Sequence, residues 1–261
     1  LVGRRVGAGW VVGRLAMNRG SLRALLRLLA VQGAWSYERM TGIGMGYAAE
    51  PLLEDLQASD PARHAAAAVR SAGFFNSHPY LAGIALGALV RAEYDQVPAN
   101  QLERLRAALP SPLGALGDQL FWVGLVPSVM SLIMLGLAAG VGWWVLPAGL
   151  LGFNLFRIAT GVWGLHTGLR SGAQVGAAIG DSWLPRWTPR FGRMALLLVG
   201  AALPVVAAVE LGGATTVARW TAGASGLAVL GLSWRLETRF SPLRLSVLAL
   251  MMAIVLVGVW P

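Results

Sequence analysis

The sequence contains no cysteine and no lysine, and it has few charged residues of either sign. Without cysteine the chain has no disulfide, no thiolate metal ligand and no cysteine to carry a phosphoryl group. Only 13% of the 261 residues are charged and 56% are hydrophobic, whereas a soluble domain has about 25% charged residues. A water-exposed surface of ordinary polarity cannot be built from this composition, so the sequence predicts an integral membrane protein.

All 21 basic residues are arginine, and the formal net charge is +9. A calculated pI near 11.4 would be compatible with nucleic-acid binding in a soluble chain. In a hydrophobic chain, arginines more often mark the cytoplasmic ends of membrane spans, next to anionic lipid. We therefore expect membrane lipid as a partner and no nucleic acid.

The chain changes character near residue 112. Nine of the twelve acidic residues lie before residue 119, so residues 1–112 form an amphipathic part and residues 113–261 form an apolar part. Crossing a hydrocarbon layer takes about 20 apolar residues in a helix. An all-α integral membrane protein with about five transmembrane helices is therefore predicted, with spans at 114–137, 139–160, 195–212, 221–235 and 243–260.

The front part contains apolar stretches of only about 10–14 residues, a length that suits re-entrant or interfacial helical hairpins better than full spans. These stretches are interrupted by glycines and proline, at 22–35, 40–53, 65–75 and 81–90. Asp60 followed by Pro61 predicts a helix start between two of them. Broken helices form binding sites in transporters. The alternative is an amphipathic helical head that lies on the cytoplasmic membrane surface.

Arginine-rich and arginine-poor connections alternate along the apolar part. Five arginines lie from 157 to 193 and three from 235 to 244, whereas the connections near 138 and at 213–220 hold at most one. This alternation satisfies the positive-inside rule when the N-terminus is cytoplasmic and the C-terminus is outside. We therefore expect a multi-pass protein in that orientation.

The segment Gln32–Met40 combines an amide, a carboxylate and aromatic rings. A helix would place Gln32, Trp35 and Arg39 on one face, with Glu38 beside them. Sugar hydroxyls need donors and acceptors, and the flat face of a pyranose packs on an aromatic ring, so these groups are typical of a sugar site. The alternative is a Glu38–Arg39 ion pair that only locks helices together.

The segment Phe74–Tyr80 is interrupted by Pro79. A proline disfavours helical geometry in the residue before it, so a helix should end near His78. Asn76 and His78 would then face inward, either to hydrogen-bond a polyol or only to cap the broken helix. His78 has no second histidine at the spacing of metal ligands, so no metal site is expected.

Further polar residues lie near the ends of predicted helices. Asp118 stands at the mouth of an apolar span, where an ionisable residue indicates function; a helix cap is the alternative. Asn154 and Arg157 are predicted to hold a partner helix or to reach the membrane interface. Glu93 and Asp95 are interpreted as solvated charges at a helix end. The sequence shows neither a catalytic-serine arrangement nor paired carboxylates, so nothing in it indicates an enzyme.

Together these segments resemble the D subunit, enzyme IID, of the mannose/fructose/sorbose family of phosphotransferase permeases. The family's FFNTHP and FNxxRxAT patterns, for example, are matched at Phe74–Pro79 and Phe153–Thr160. The matching elements keep the family's order over about residues 25–210: Gln32–Met40, Gly42–Pro51, Phe74–Pro79, Gly87–Glu93, Ser111–Trp122 and Phe153–Thr160.

The resemblance implies a subunit that forms the path of a hexose-type sugar with a membrane enzyme IIC, in the bacterial cytoplasmic (inner) membrane. A cytoplasmic enzyme IIAB, phosphorylated through HPr, would phosphorylate the sugar as it enters. The D subunit itself carries no phosphorylation site, so the chain is expected not to be an enzyme by itself and to need no cofactor.

We expect an obligate complex, repeated in a symmetric oligomer. The alternatives are a membrane scaffold or regulatory subunit without transport activity, and an unrelated transporter.

We interpret two sets of residues on this basis. Those expected to bind substrate, close together and facing the partner subunit near the middle of the membrane, are Gln32, Trp35, Glu38, Asn76, His78 and Asp118. Those expected to have structural or interface roles are Arg39, Pro79, Asn154 and Arg157.

Overall fold

The structure, a computed structural model, describes residues 19–210. Within this range it is built from helices, and strand-like pairing is confined to two isolated bridges, Ser36–Met40 and Met40–Phe75. The all-α class predicted from the sequence is therefore confirmed. The spans predicted at 221–235 and 243–260 lie outside the described residues.

Ten α-helices follow one another in the described range: α1 (Arg19–Leu29), α2 (Gly42–Ser59), α3 (Pro61–Ser71), α4 (Ala82–Tyr94), α5 (Ala99–Ala108), α6 (Pro110–Gly117), α7 (Val126–Ala138), α8 (Val145–Ser171), α9 (Val175–Asp181) and α10 (Leu184–Glu210). A π-helical segment, Asp118–Leu125, joins α6 to α7. Short 3-10 helices lie at Val31–Ala34 and Gly172–Gln174.

Residues 19–210 divide into two compact units, one of residues 19–126 with 150–192 and one of residues 127–149 with 193–210. In the second unit, α7 and the start of α8 are joined by a turn at Gly140 and Gly142, whose φ angles of +75° and +96° favour glycine. Both cavities described below are lined by residues of the first unit. The change of composition near residue 112 falls inside α6, and the two-part organisation of the chain stays a prediction.

Helix α4 is the buried centre of the first unit. Every residue from Ala82 to Val90 is buried, as expected of a helix that is apolar on all sides. Glycines let α8 cross it at backbone distance, because a β-carbon on Gly87 would lie 2.5 Å from the carbonyl oxygen of Leu165, and one on Gly168 would lie 2.2 Å from that of Ile84. Small residues at a crossing of this kind are typical of membrane helices.

Glu93 corrects one interpretation of the sequence. The residue is buried, at 5% exposure, and not solvated. Its carboxylate lies 2.7 Å from Arg70 and 3.1 Å from Arg63, and both arginines belong to α3. A buried carboxylate needs such partners because its desolvation is costly. By contrast, Asp95 pairs with Arg91 one turn away on its own helix.

Among residues 19–210, two helical runs are long and apolar enough to cross a membrane, Ala99–Ala138 with 40 residues and Val145–Asp181 with 37 residues. The first contains the span predicted at 114–137, and the second overlaps the span predicted at 139–160. The total of five spans stays a prediction. The region 157–193, expected as a connection, is mostly helical, since α8 continues to Ser171 and α10 begins at Leu184. Arginine is a good helix former, so basic charge alone does not end a helix.

Candidate functional site

A cavity of about 420 Å³ lies between the loop 72–81 and helix α6. The structure brings together three of the predicted site residues here, Asn76, His78 and Asp118, although they come from different segments. Ser77 and Ser111 also line the cavity. An amide, an imidazole, a carboxylate and two hydroxyl groups therefore share it. The full lining is Asn76, Ser77, His78, Pro79, Pro110, Ser111, Gly114, Ala115 and Asp118.

The ring of His78 packs directly against the backbone of α6. A β-carbon on Gly117 would lie 2.3 Å from Cβ and Cγ of His78, so only glycine leaves room for the imidazole. The ring also stacks on Phe121, with 5.0 Å between ring centroids and 13° between planes. This packing fixes His78 next to Asp118.

The imidazole of His78 carries an unsatisfied donor. Its Nδ1 accepts a hydrogen bond from the backbone N–H of Tyr80 at 3.3 Å, while Nε2 is buried without a partner among residues 19–210. Burial lowers the pKa of His78 to about 4, although the carboxylate of Asp118 acts in the opposite direction. A neutral imidazole that accepts at Nδ1 holds its proton on Nε2. His78 thus holds a buried N–H group that has no acceptor in the described part of the chain.

The loop that carries Asn76 is held from two sides. Arg106 of α5 donates hydrogen bonds to the carbonyl oxygens of Ser71 at 3.1 Å and Gly73 at 2.7 Å. Thr41 Oγ1 donates to the carbonyl oxygen of Phe75 at 2.8 Å. The sequence interpretation missed Arg106, since nothing distinguishes it locally from its neighbour Arg104. Asn76 therefore lies on a braced segment, and neither Asn76 nor His78 caps α3, which ends at Ser71.

Gln32 lies at a second cavity, of about 430 Å³, lined by residues of α1, α4 and α8. Pro79 lines both cavities, so the two are neighbours. Trp35 is 47% exposed and packs against Tyr37 with ring centroids 4.8 Å apart, and Glu38 is exposed as well. Neither Trp35 nor Glu38 lines these two cavities.

The helical face expected for Gln32, Trp35 and Arg39 is not formed. The 3-10 helix ends at Ala34, Trp35 is extended, and Met40 has a φ of +51°. Ser36 Oγ accepts a hydrogen bond from the backbone N–H of Arg39 at 3.2 Å, and such local side-chain bonds compete with a helix. Arg39 also approaches the carbonyl oxygen of Ala72 at 3.5 Å.

The hydrogen bonds and ion pairs of the structure bear on the other roles considered for the polar residues, namely helix capping, ion pairing and helix contacts. Asp118 lies within a continuous helical run and makes no side-chain cap. A Glu38–Arg39 ion pair is not among those found in the described part of the chain. Asn154 Nδ2 donates to the carbonyl oxygen of Leu150 in its own helix at 2.8 Å. The Arg157 guanidinium lies over the ring of Tyr80, with 4.6 Å from Cζ to the centroid.

The fold and the apolar helices define the class as an all-α integral membrane protein, and two solved structures share that fold. One, described as "Structure of membrane protein", has a TM-score of 0.66 and 22% identity, covering 93% of this chain and 97% of that chain. The other, the mannose transporter ManYZ in complex with microcin E492, has a TM-score of 0.54 and 21% identity, covering 92% and 94%.

The sequence profile of the PTS system mannose/fructose/sorbose family IID component matches residues 18–257, and the chain belongs to this family. The mannose-specific EIID components of Escherichia coli K12 and of Escherichia coli O157:H7 are each 28% identical to it over 155 residues, 55% of this chain. The match covers 52% of each relative, so the chain spans about half the length of the curated relatives it matches. The resemblance inferred from the sequence motifs is confirmed.

Proposed function

We propose that this chain forms, together with a IIC-like membrane subunit, the path by which a hexose-type sugar crosses the bacterial cytoplasmic membrane. The observation that carries this proposal is the cavity that joins Asn76, His78 and Asp118 in a chain of this membrane family. Phosphorylation of the sugar is assigned to a cytoplasmic IIAB protein that HPr phosphorylates. The chain itself is proposed to be a transport subunit and not an enzyme.

The chemistry of the cavity suits a polyol. A sugar hydroxyl both donates and accepts, and an ionised carboxylate accepts while an amide does both. Asp118 and Asn76 supply these groups, and His78, whose Nε2 has no hydrogen-bond partner among residues 19–210, lines the same cavity. Leaving such a buried group unpaired costs about 1–3 kcal/mol, so a bound hydroxyl would recover part of that cost.

Gln32, Trp35 and Glu38 remain candidates for an outer part of the same path. Trp35 and Glu38 lie on an exposed turn, where a partner subunit would enclose them. Gln32 lies beside Pro79, which also lines the polar cavity. We propose that a IIC-like subunit covers this surface and that the assembled pair encloses the sugar.

Sugar uptake by chosen variants tests the proposal. The full chain is expressed with its IIC and IIAB partners in cells that lack their own mannose-family system, and uptake of a panel of labelled hexoses is measured. Asn76→Ala and Asp118→Asn should each lower uptake roughly tenfold or more, because each loses at least one hydrogen bond to the ligand. Glu38→Gln should also lower uptake if the exposed turn belongs to the path.

Asn100→Ala is the matched control, because it removes an exposed asparagine side chain that lines neither cavity. Uptake should be unchanged in this variant, and co-purification with the IIC subunit should be unchanged in all of them. Equal uptake by the Asn76 and Asn100 variants would contradict the site. If the site variants lose uptake only together with co-purification, the residues serve assembly and the chain is a scaffold.

The orientation of the chain is tested by single cysteines, which the cysteine-free sequence allows without further changes. Cysteines at Arg170 and Arg239 should resist a membrane-impermeant thiol reagent in intact cells, because both positions are predicted to be cytoplasmic. A cysteine at Val141, an exposed residue between α7 and α8, should be labelled. Labelling of either arginine position from outside would overturn the predicted orientation.

A further inference from the structure

The second cavity is largely a hydrocarbon groove. Its volume is about 430 Å³, and most of its walls are aliphatic side chains of α1 and α8. Several of these side chains remain about half exposed even though they line a cavity. In a chain that spans a membrane, exposed aliphatic walls are in contact with lipid rather than water. The aliphatic side chains are Leu22, Leu25, Leu26, Leu28, Leu29, Val31, Ile158 and Val162.

Arg157 adds a cation to this apolar groove. Its Nε is buried and has no hydrogen-bond partner in the described part of the chain. Its guanidinium lies over the ring face of Tyr80, at 4.6 Å from Cζ to the centroid, and forms no ion pair within residues 19–210. A guanidinium remains charged in proteins, and a charge in apolar surroundings calls for an anion or for acceptors.

Other part-buried arginines of the same unit have their acceptors within the chain. Arg70 reaches the carboxylate of Glu93 at 2.7 Å, and Arg106 reaches two backbone carbonyl oxygens. Arg63 donates to the carbonyl oxygen of Val97 at 2.8 Å. Arg157 differs from them in facing a groove whose lining contains no acidic residue. The missing acceptor is therefore expected from a ligand in the groove.

We propose that this groove binds an anionic phospholipid. The phosphate lies on the guanidinium of Arg157, and an acyl chain follows the leucines of α1. Arginine matches phosphate oxygens with its planar fork, and basic pockets between membrane helices are known sites for anionic head groups. The ligand is thus an amphiphile with one negatively charged end, and it is distinct from the sugar proposed for the other cavity.

A photoreactive phosphatidylglycerol, with the reactive group in its acyl chain, tests the site on the full chain in nanodiscs. Cross-linked peptides should come from α1. Arg157→Gln should lower this cross-linking about tenfold or more, the effect of losing charge-assisted hydrogen bonds. Arg170→Gln is the matched control, since Arg170 is an exposed arginine on the same helix, and it should leave cross-linking unchanged. A phosphatidylcholine probe with the same acyl chain should label α1 weakly.

Two further measurements separate the lipid from other sources of negative charge. Leu26→Trp, which fills the groove while keeping the cation, should also lower cross-linking, and inorganic phosphate at millimolar concentration should not compete. Equal labelling of the two arginine variants, equal labelling by the two lipids, or full competition by phosphate would each overturn the proposal. Arg157→Gln could instead leave cross-linking unchanged and abolish co-purification of the IIC subunit. That result would show that Arg157 pairs with a carboxylate of the partner protein and not with a lipid.

Discussion

Glutamine in place of Glu93 should lower the free energy of unfolding of the purified chain by about 3 kcal/mol, the lower end of what removing one partner of a buried ion pair costs. The carboxylate is 5% exposed. It lies between two guanidinium groups, of Arg63 and Arg70, whose side chains are only 21% and 22% exposed. Without the carboxylate these two cations repel each other with little solvent between them, and α3 loses its charged attachment to the end of α4.

Asp95→Asn is the matched control for this prediction. Asp95 lies on the C-terminal side of the same helix, 38% exposed, and pairs with Arg91 one turn away. Exposed pairs of this kind contribute about 0–1 kcal/mol. In detergent, the apparent melting temperature should therefore fall on the order of 10 °C for Glu93→Gln and by only a few degrees for Asp95→Asn. Similar shifts in both variants would show that burial of Glu93 contributes nothing.

A double variant separates repulsion from the loss of packing. Arg70→Gln in the Glu93→Gln background removes one of the two cations that the single variant leaves unbalanced. If repulsion causes the loss, the double variant should be more stable than the single one, a non-additive result typical of residues in direct contact. A further loss of stability would instead assign the effect of Glu93→Gln to hydrogen bonding and shape.

Features that depend on nearby residues were predictable from the sequence. The start of α3 follows from Asp60 and Pro61, and the structure shows Asp60 Oδ1 accepting a hydrogen bond from the backbone N–H of Arg63 at 2.9 Å. The membrane class followed from composition, since the low content of charge excludes an ordinary soluble surface. The helix start depends on two adjacent residues, and the membrane class depends on the average composition of the chain.

Features that depend on distant residues were not predictable. From the sequence, Glu93 is interpreted as a solvated charge at a helix end, because its partners Arg63 and Arg70 precede it by 30 and 23 residues. Arg106 reaches the carbonyl oxygen of Gly73, 33 residues away. The sequence indicated polar groups in interrupted segments, yet it did not show that Asn76 and Gln32 line different, neighbouring cavities on either side of Pro79.

One error about local structure had both a local and a long-range cause. The spacing of Gln32, Trp35 and Arg39 fits a helical face, but the chain turns between Ser36 and Met40, where the two backbones exchange hydrogen bonds of 3.3 Å and 2.7 Å. Met40 then passes into a bridge with Phe75. Long-range pairing with the loop of Asn76 thus competes successfully with a helix in this segment.

Alanine in place of Gly117 should abolish uptake, although it adds only one methyl group. In an exposed helix this change stabilises by up to about 1 kcal/mol, because glycine is the poorer helix former. Here the added β-carbon would lie 2.3 Å from Cβ and Cγ of His78, so either the imidazole or the helix has to move. The displaced imidazole or helix changes how His78 and Asp118 line the cavity, and the cavity loses the geometry on which the proposed sugar contacts depend.

Gly152→Ala serves as the control, because a β-carbon there meets nothing within 4 Å and Gly152 is not among the residues lining the polar cavity. Uptake should be retained in Gly152→Ala, with a slightly higher melting temperature, and should fall to background in Gly117→Ala. A second readout does not depend on sugar transport: His78→Ala in the Gly117→Ala background makes room for the new methyl group, so the double variant should melt above the sum of the two single effects. Additive melting temperatures together with unchanged uptake would show that the contact between Gly117 and His78 does not organise the cavity. If uptake is lost but the two substitutions are additive, the methyl group acts on the helix itself and His78 is not the group that it displaces.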